Sequence, residues 1–248
     1  MAFCSRFIAF GFTALLTFGC SDWADSTRQD DKKGSLETNV AQLPTQDFVK
    51  QTENFFEQGN KFLEANRYEE AIAIYDKVVI ATPNNVEAWI NRGNAYSGLQ
   101  RYGQALGSYD RAIAMKPNRD EAWYNRGNAL SAMRLYHEAE KSYDKAIAIK
   151  PDKYEAWINR GIALTQLQRY EQALVSYDKA IAINPYKHQA YYNKACAYAL
   201  QKNTDSAIAS LQKAMKIVPG KYEKLAKTDP DFAKVRNTKQ FQKTVNGY

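Results

Sequence analysis

Cysteine, histidine and glycine are all sparse in this chain of 248 residues, and each shortage removes a class of chemistry. The three cysteines are Cys4, Cys20 and Cys196, and two of them fall within the first twenty residues, so no disulfide framework is available to the rest of the chain. The two histidines, His137 and His188, have no cysteine at metal-ligand spacing, which excludes the usual zinc patterns. The twelve glycines build no phosphate-cradling loop. The apolar stretch Phe7 to Phe18 falls short of the roughly 20 residues that a membrane-spanning helix needs. Charge of one sign is also only slightly in excess, 34 Lys and Arg against 27 Asp and Glu, and no single helix gathers it, so nucleic acid is not a partner to expect. Without a catalytic constellation or a cofactor site, the chain reads as a non-enzymatic protein with no small-molecule substrate.

What the sequence has instead is a period. A block of 34 residues recurs in phase from Thr52 to Lys221, plainest in AWINRGNA, AWYNRGNA and AWINRGIA, which begin at Ala88, Ala122 and Ala156. The second half of the block repeats equally well, as YDRAIA from Tyr109 and YDKAIA from Tyr143 and Tyr177. A fixed period of this length marks a stacked array in which each unit contacts only the next. Two helices per block are expected. In the first, an aromatic column (Phe55, Trp89, Trp123, Trp157, Tyr191) precedes by four residues a small column (Gly59, Gly93, Gly127, Gly161, Ala195), which puts both on one stripe. In the second, Ala71, Ala105, Ala139, Ala173 and Ala207 precede Tyr75, Tyr109, Tyr143, Tyr177 and Leu211 by the same spacing. The small residues are expected to let paired helices approach while the aromatics fill a neighbour's groove. Pro83, Pro117, Pro151, Pro185 and Pro219 close the blocks, because proline cannot continue a helix interior.

This pattern of Trp, Gly, Ala, Tyr and Pro resembles the tetratricopeptide repeat family. The resemblance covers five units, 52–85, 86–119, 120–153, 154–187 and 188–221, and implies an all-α solenoid, a right-handed superhelix of helix-turn-helix repeats. Residues 222–248 carry Phe232, Val235 and Phe241 at spacings suited to cover the open end, and read as a helical cap. A basic docking tail is the other reading of that segment. Cys196 is expected to be a small buried apolar residue.

Three polar columns remain. Asn91, Asn125, Asn159 and Asn193 form a ladder, with Asn60, Asn94 and Asn128 on the same side, and the resemblance places them along the concave groove. An amide both donates and accepts, so such a row suits the backbone of an extended peptide, or else bonds between adjacent repeats. Glu87, Glu121 and Glu155 occupy a neighbouring groove column and favour a neutral or basic segment. The family's clamp for an acidic peptide tail needs a lysine just after the aromatic column, and this chain has Ile90, Tyr124 and Ile158 there instead. Arg92, Arg126, Arg160 and Lys194 are expected to lay their stems on apolar surface and pair with Asp76, Asp110, Asp144 and Asp178; a basic stripe is the alternative.

The start of the chain reads as an address. Arg6, the apolar stretch and Gly19-Cys20-Ser21 resemble the lipobox of bacterial lipoproteins, which implies a signal peptide over 1–19 and a lipid on Cys20. An ordinary secretory signal or an uncleaved anchor would use the same stretch. Residues 20–51 are polar and read as a disordered tether, with a flexible span of about 30 Å. The expected protein is then a lipid-anchored scaffold of a bacterial envelope that holds an extended segment of a partner protein. Outer-membrane or pilus biogenesis, photosystem assembly, and recruitment of a peptidase or wall hydrolase are alternative settings.

Overall fold

The structure, a computed structural model, describes residues 45–247. All regular structure in this span is helical. The five blocks supply ten helices: α1 (Gln46–Glu64) and α2 (Tyr68–Ala81), α3 (Val86–Gly98) and α4 (Tyr102–Met115), α5 (Asp120–Ala132) and α6 (Tyr136–Ile149), α7 (Tyr154–Gln166) and α8 (Tyr170–Ile183), α9 (His188–Leu200) and α10 (Thr204–Ile217). Two short helices follow, α11 (Lys221–Thr228) and α12 (Lys239–Asn246), with a 3-10 turn at Pro230–Phe232 between them.

The first helix starts earlier than its period. Thr45 accepts the backbone N–H of Phe48 through Oγ1 at 3.3 Å and caps the helix, so residues 46–51, read from composition as tether, are helical. The signal segment and the rest of the tether, Cys20 included, lie outside the described residues.

Each turn inside a block is built the same way. Asn66, Gln100, Arg134, Gln168 and Lys202 adopt φ between 57° and 62°, the left-handed region. The following residue donates its N–H back across the end of the first helix, as in Arg101 N to Tyr96 O at 2.9 Å and Arg169 N to Leu164 O at 2.9 Å. This is the Schellman closure, made five times without a glycine at its left-handed position. Between blocks the second helix ends two residues before its proline. The indole N–H of Trp89, Trp123 and Trp157 donates to the carbonyl of Pro83, Pro117 and Pro151, each at 2.9 Å. The tryptophan column therefore bonds the connecting turn as well as packing.

Within a block the tyrosine ring lies directly on the glycine of its own first helix. A Cβ built on Gly93, Gly127 or Gly161 would stand 2.5 Å from Cε1 of Tyr109, Tyr143 or Tyr177. The tyrosines thus fill their own block's groove and not, as the sequence suggested, a neighbour's. The fifth block changes both partners together: Ala195 replaces the glycine, and Leu211, smaller than tyrosine, faces it. Both are fully buried.

Successive first helices touch one another (α1 with α3, α3 with α5, α5 with α7, α7 with α9), whereas α2, α4, α6, α8 and α10 do not touch in this way. The array therefore curves toward its first helices, whose exposed sides line the inner face. At its far end Phe232, Val235 and Phe241 are buried in one cluster with Tyr192, Cys196, Leu211 and Tyr222. Cys196 is buried there, and burial, reinforced by Asp229 and Asp231, raises its thiol far above the ordinary range, so it is an inert packing residue.

Candidate functional site

Most of the polar side chains that recur with the period have a definite partner. Arg92, Arg126 and Arg160 donate through Nε to Asp76, Asp110 and Asp144 at 2.6, 2.7 and 2.6 Å. Their Nη1 groups reach Ser108, Ser142 and Ser176 of the second helix in the same block at 3.0, 2.8 and 2.7 Å. Lys194 bonds Asp178 in the same register. Each guanidinium ties the aspartate of one block to the serine of the next and is largely consumed in doing so. Of the two sequence readings of this column, the structure displays the paired one.

The asparagine ladder is bonded between repeats. Asn91, Asn125 and Asn159 donate through Nδ2 to Oδ1 of Asn60, Asn94 and Asn128 at 3.0, 2.9 and 2.9 Å. The same acceptor oxygens also receive the hydroxyls of Tyr75, Tyr109 and Tyr143 at 2.7, 2.9 and 3.0 Å. Burial pushes the Tyr109 hydroxyl up to about 12, and Tyr143 and Tyr177 higher still, so these hydroxyls stay protonated as donors. Six of the seven ladder amides are therefore engaged internally.

The seventh is not. In the fourth block Ile162 stands where Asn60, Asn94 and Asn128 stand in the first three. The Tyr177 hydroxyl turns to Thr165 Oγ1 at 3.1 Å instead. Asn193, whose equivalents donate to that position, has lost its acceptor and is half-buried with no hydrogen-bond partner among the described residues. The ladder stops at α9 and leaves one free amide on the inner face.

The glutamate column is compensated. Arg119, the last residue of the second block, pairs with Glu87 and lies 3.8 Å from Glu121. The equivalent Lys153 pairs with Asp120 at 2.8 Å and sits 4.7 Å above the Tyr124 ring. Lys187 sits 4.9 Å above the Tyr154 ring, whose hydroxyl raises its pKa. These three cations occupy helix N-cap positions, where a side-chain acceptor is the stable choice, and none of them makes a capping bond. At Asn85, the first member of the column, the normal cap is present, with Ala88 N donating to Oδ1 at 3.0 Å. Caps are given up in exchange for cations along the groove.

Between α5, α7 and α9 the inner face opens into a depression of about 220 Å³ lined by Tyr124, Tyr154, Glu155, Ile158, Asn159, Lys187 and Gln189. A second depression of about 190 Å³, lined by Asn128, Tyr143, Asn159 and Ile162, adjoins it at Asn159. Together they give apolar floor, amides and one carboxylate beside one ammonium. Asn193 lies one helical turn beyond Gln189 on the same side of α9. Nothing in this set of groups forms a nucleophile with a base, and among the described residues no cluster of metal-ligating side chains occurs.

Family comparison decides what the array is. Tetratricopeptide repeat models match residues 56–120, 90–131, 120–153, 154–187 and 188–220. The chain belongs to the tetratricopeptide repeat family. No curated protein matches it. Among solved structures, one of MamA is 26% identical, with 73% of this chain and 97% of that one covered and a TM-score of 0.64. YrrB, described as a TPR protein with an unusual peptide-binding site, is 23% identical, with 70% and 93% covered and a TM-score of 0.61. MamA from Desulfovibrio magneticus RS-1 is 19% identical, with 67% and 94% covered and a TM-score of 0.64. The last two speak for the fold alone.

Set against the tetratricopeptide period, the site residues separate cleanly. Asn60, Asn91, Asn94, Asn125, Asn128 and Asn159 hold repeat to repeat. Glu87 and Glu121 share one cation, Arg119, which lies closer to Glu87. Glu155, Asn159 and Asn193 remain at or beside the depression. Tyr154, Lys187 and Ile162 were not among the residues expected from sequence. The basic column Arg119, Lys153, Lys187 and Lys221 was nevertheless visible at the block boundaries.

Proposed function

We propose that the array is a non-enzymatic protein-binding scaffold whose inner face holds an extended, uncharged segment of a partner across α5, α7 and α9. The observation that carries this reading is the depression where Tyr154 and Ile158 form an apolar floor, with the free amide of Asn193 one helical turn beyond its Gln189 wall. An extended backbone presents alternating N–H and C=O groups, which an amide answers with one donor pair and one acceptor. Glu155 and Lys187 stand at the same opening and cancel, so the glutamate column gives a basic segment no general advantage. The peptide-binding site described for the similarly folded YrrB supports the class of partner.

The reading continues to the start of the chain. A lipid on Cys20 would tether the array to a bacterial membrane facing the periplasm or exterior, and Gly19-Cys20 behind an apolar core motivates it. Cys20→Ala is expected to move the protein from the membrane fraction to soluble or unprocessed forms. Absence of labelled fatty acid on the unaltered protein would refute the tether.

The groove is tested by titrating fluorescent twelve-residue peptides of neutral, basic and acidic composition against the full chain. Neutral peptides rich in Asn, Ser and one apolar anchor should bind most tightly, with charged ones weaker by about tenfold. Equal weak binding of all three would show that the depression is not the site.

A further inference from the structure

The two ends of the described array are chemically opposite. At the C-terminal end α11, the 3-10 turn and α12 cover the last repeat. At the N-terminal end no such element covers α1 among the described residues, and Phe48 and Val49 are 39% and 43% exposed. These two residues, with Thr52, Glu53, Phe56 and Glu57, form one stripe of α1 that faces the Ala81–Asn85 turn across a groove of about 620 Å³. Charge follows the same division. Residues 45–85 carry four Lys and Arg against seven Asp and Glu, whereas residues 221–247 carry seven against three.

We propose that this groove is an interface for a second copy of the chain, which inserts the exposed face of its α11. That face carries Lys221, Lys224, Leu225, Lys227 and Thr228, on the side away from the buried Tyr222 and Ala226. Leu225 is 42% exposed, a lone apolar side chain amid lysines. The groove offers the complement: an apolar floor at Phe48, Val49 and Phe56, with Glu53 and Glu57 at its rim. Leucine in an apolar groove supplies burial, and the lysine and glutamate rims fix orientation and exclude the reversed, like-charged pairing of two N-terminal ends. Such a contact uses a different patch on each copy. It is heterologous, so copies add end to end instead of closing as a twofold dimer.

The test uses the full chain and two pairs of charge reversals, Glu53→Lys with Glu57→Lys and Lys224→Glu with Lys227→Glu. Sedimentation velocity of the unaltered chain between about 1 and 100 μM should show mass rising with concentration, and the rise should shrink between about 50 and 500 mM salt. Each reversal alone should weaken self-association by about tenfold or more, and an equimolar mixture of the two should restore it, because each now offers the end the other lacks. Leu225→Ser should also weaken association, insensitively to salt, with unchanged far-ultraviolet circular dichroism. A chain that stays monomeric throughout overturns the proposal, as does association that neither reversal affects. Cosedimentation of the monomeric chain with phosphatidylserine vesicles, lost on Lys224→Glu with Lys227→Glu, would instead assign the basic end to a membrane surface.

Discussion

The guanidinium column and the inner face of the same first helices follow opposite rules. In blocks two to four Arg92, Arg126 and Arg160 make the same two bonds at nearly the same distances, to an aspartate behind and a serine ahead. On the inner face the period breaks: position 90 is Ile, position 124 Tyr, position 158 Ile and position 192 Tyr, and the amide partner changes to Ile162 in block four. What repeats with the period is bonded to the protein itself. A break in the period leaves hydrogen-bonding capacity unused, as Ile162 does for Asn193, or an open apolar floor, as at Phe48.

The comparison is broken most severely by forcing bulk into a periodic position. Gly127→Val would press methyl groups into Tyr143, which already leaves only 2.5 Å for a Cβ. A loss of about 3 kcal/mol in denaturant unfolding is expected. Gly127→Ala with Tyr143→Leu copies the fifth block's Ala195 and Leu211 and should recover most of the loss. Less severe is Arg126→Ala, which strands Asp110 and Ser142 and uncovers the Trp123 face that the guanidinium overlies at 5.9 Å. It should cost about 1–2 kcal/mol by the same measurement.

Smaller still, and of opposite sign, is relief of the left-handed turns. Gln100→Gly, Arg134→Gly and Gln168→Gly should each raise stability by about 0.5–1 kcal/mol, since the side-chain penalty at positive φ exceeds the added freedom of the unfolded glycine. Additivity across the three is expected because the blocks are separated.

At the capped end the smallest effect depends on pH. Burial, with the adjacent charge of Asp229, raises the pKa of Asp231 above its ordinary value of 3.8. The folded state therefore favours the protonated carboxyl. Its stabilising contribution is complete below the unfolded value and is lost as pH rises through the raised folded value. Asp231→Asn should raise the melting temperature at pH 7 and lose that advantage below about pH 3.8.

The fold was legible because its determinants recur: five copies of one packing solution identify helix, turn and interface columns without any contact being seen. The pairing of Arg92 with Asp76 was legible for the same reason, since the sixteen-residue offset between them is preserved in each block. The amide bonding was not, because a column of asparagines looks identical whether it faces a peptide or the next asparagine. Only the distance between α3 and α1 decides that Asn91 reaches Asn60. The early start of α1 was hidden by composition, since Gln46, Asp47, Lys50 and Gln51 are as polar as a tether. The cations at 119, 153 and 187 were not legible as groove groups, because their place at helix starts suggests capping, a bond that these residues do not make.

The central claim is that the amides paired between repeats hold the array and the unpaired amide of the last repeat binds. Two double variants measured side by side, by melting temperature and by affinity for a neutral extended peptide, test it most directly. Asn91→Ala with Asn125→Ala removes two bonds between repeats and should cost about 2 kcal/mol of stability, while changing affinity little. Gln189→Ala with Asn193→Ala removes groups without a partner in the described structure, and should leave the melting temperature unchanged while weakening the peptide by about tenfold. If the first pair weakens the peptide at full stability and the second lowers stability at full affinity, the claim is contradicted.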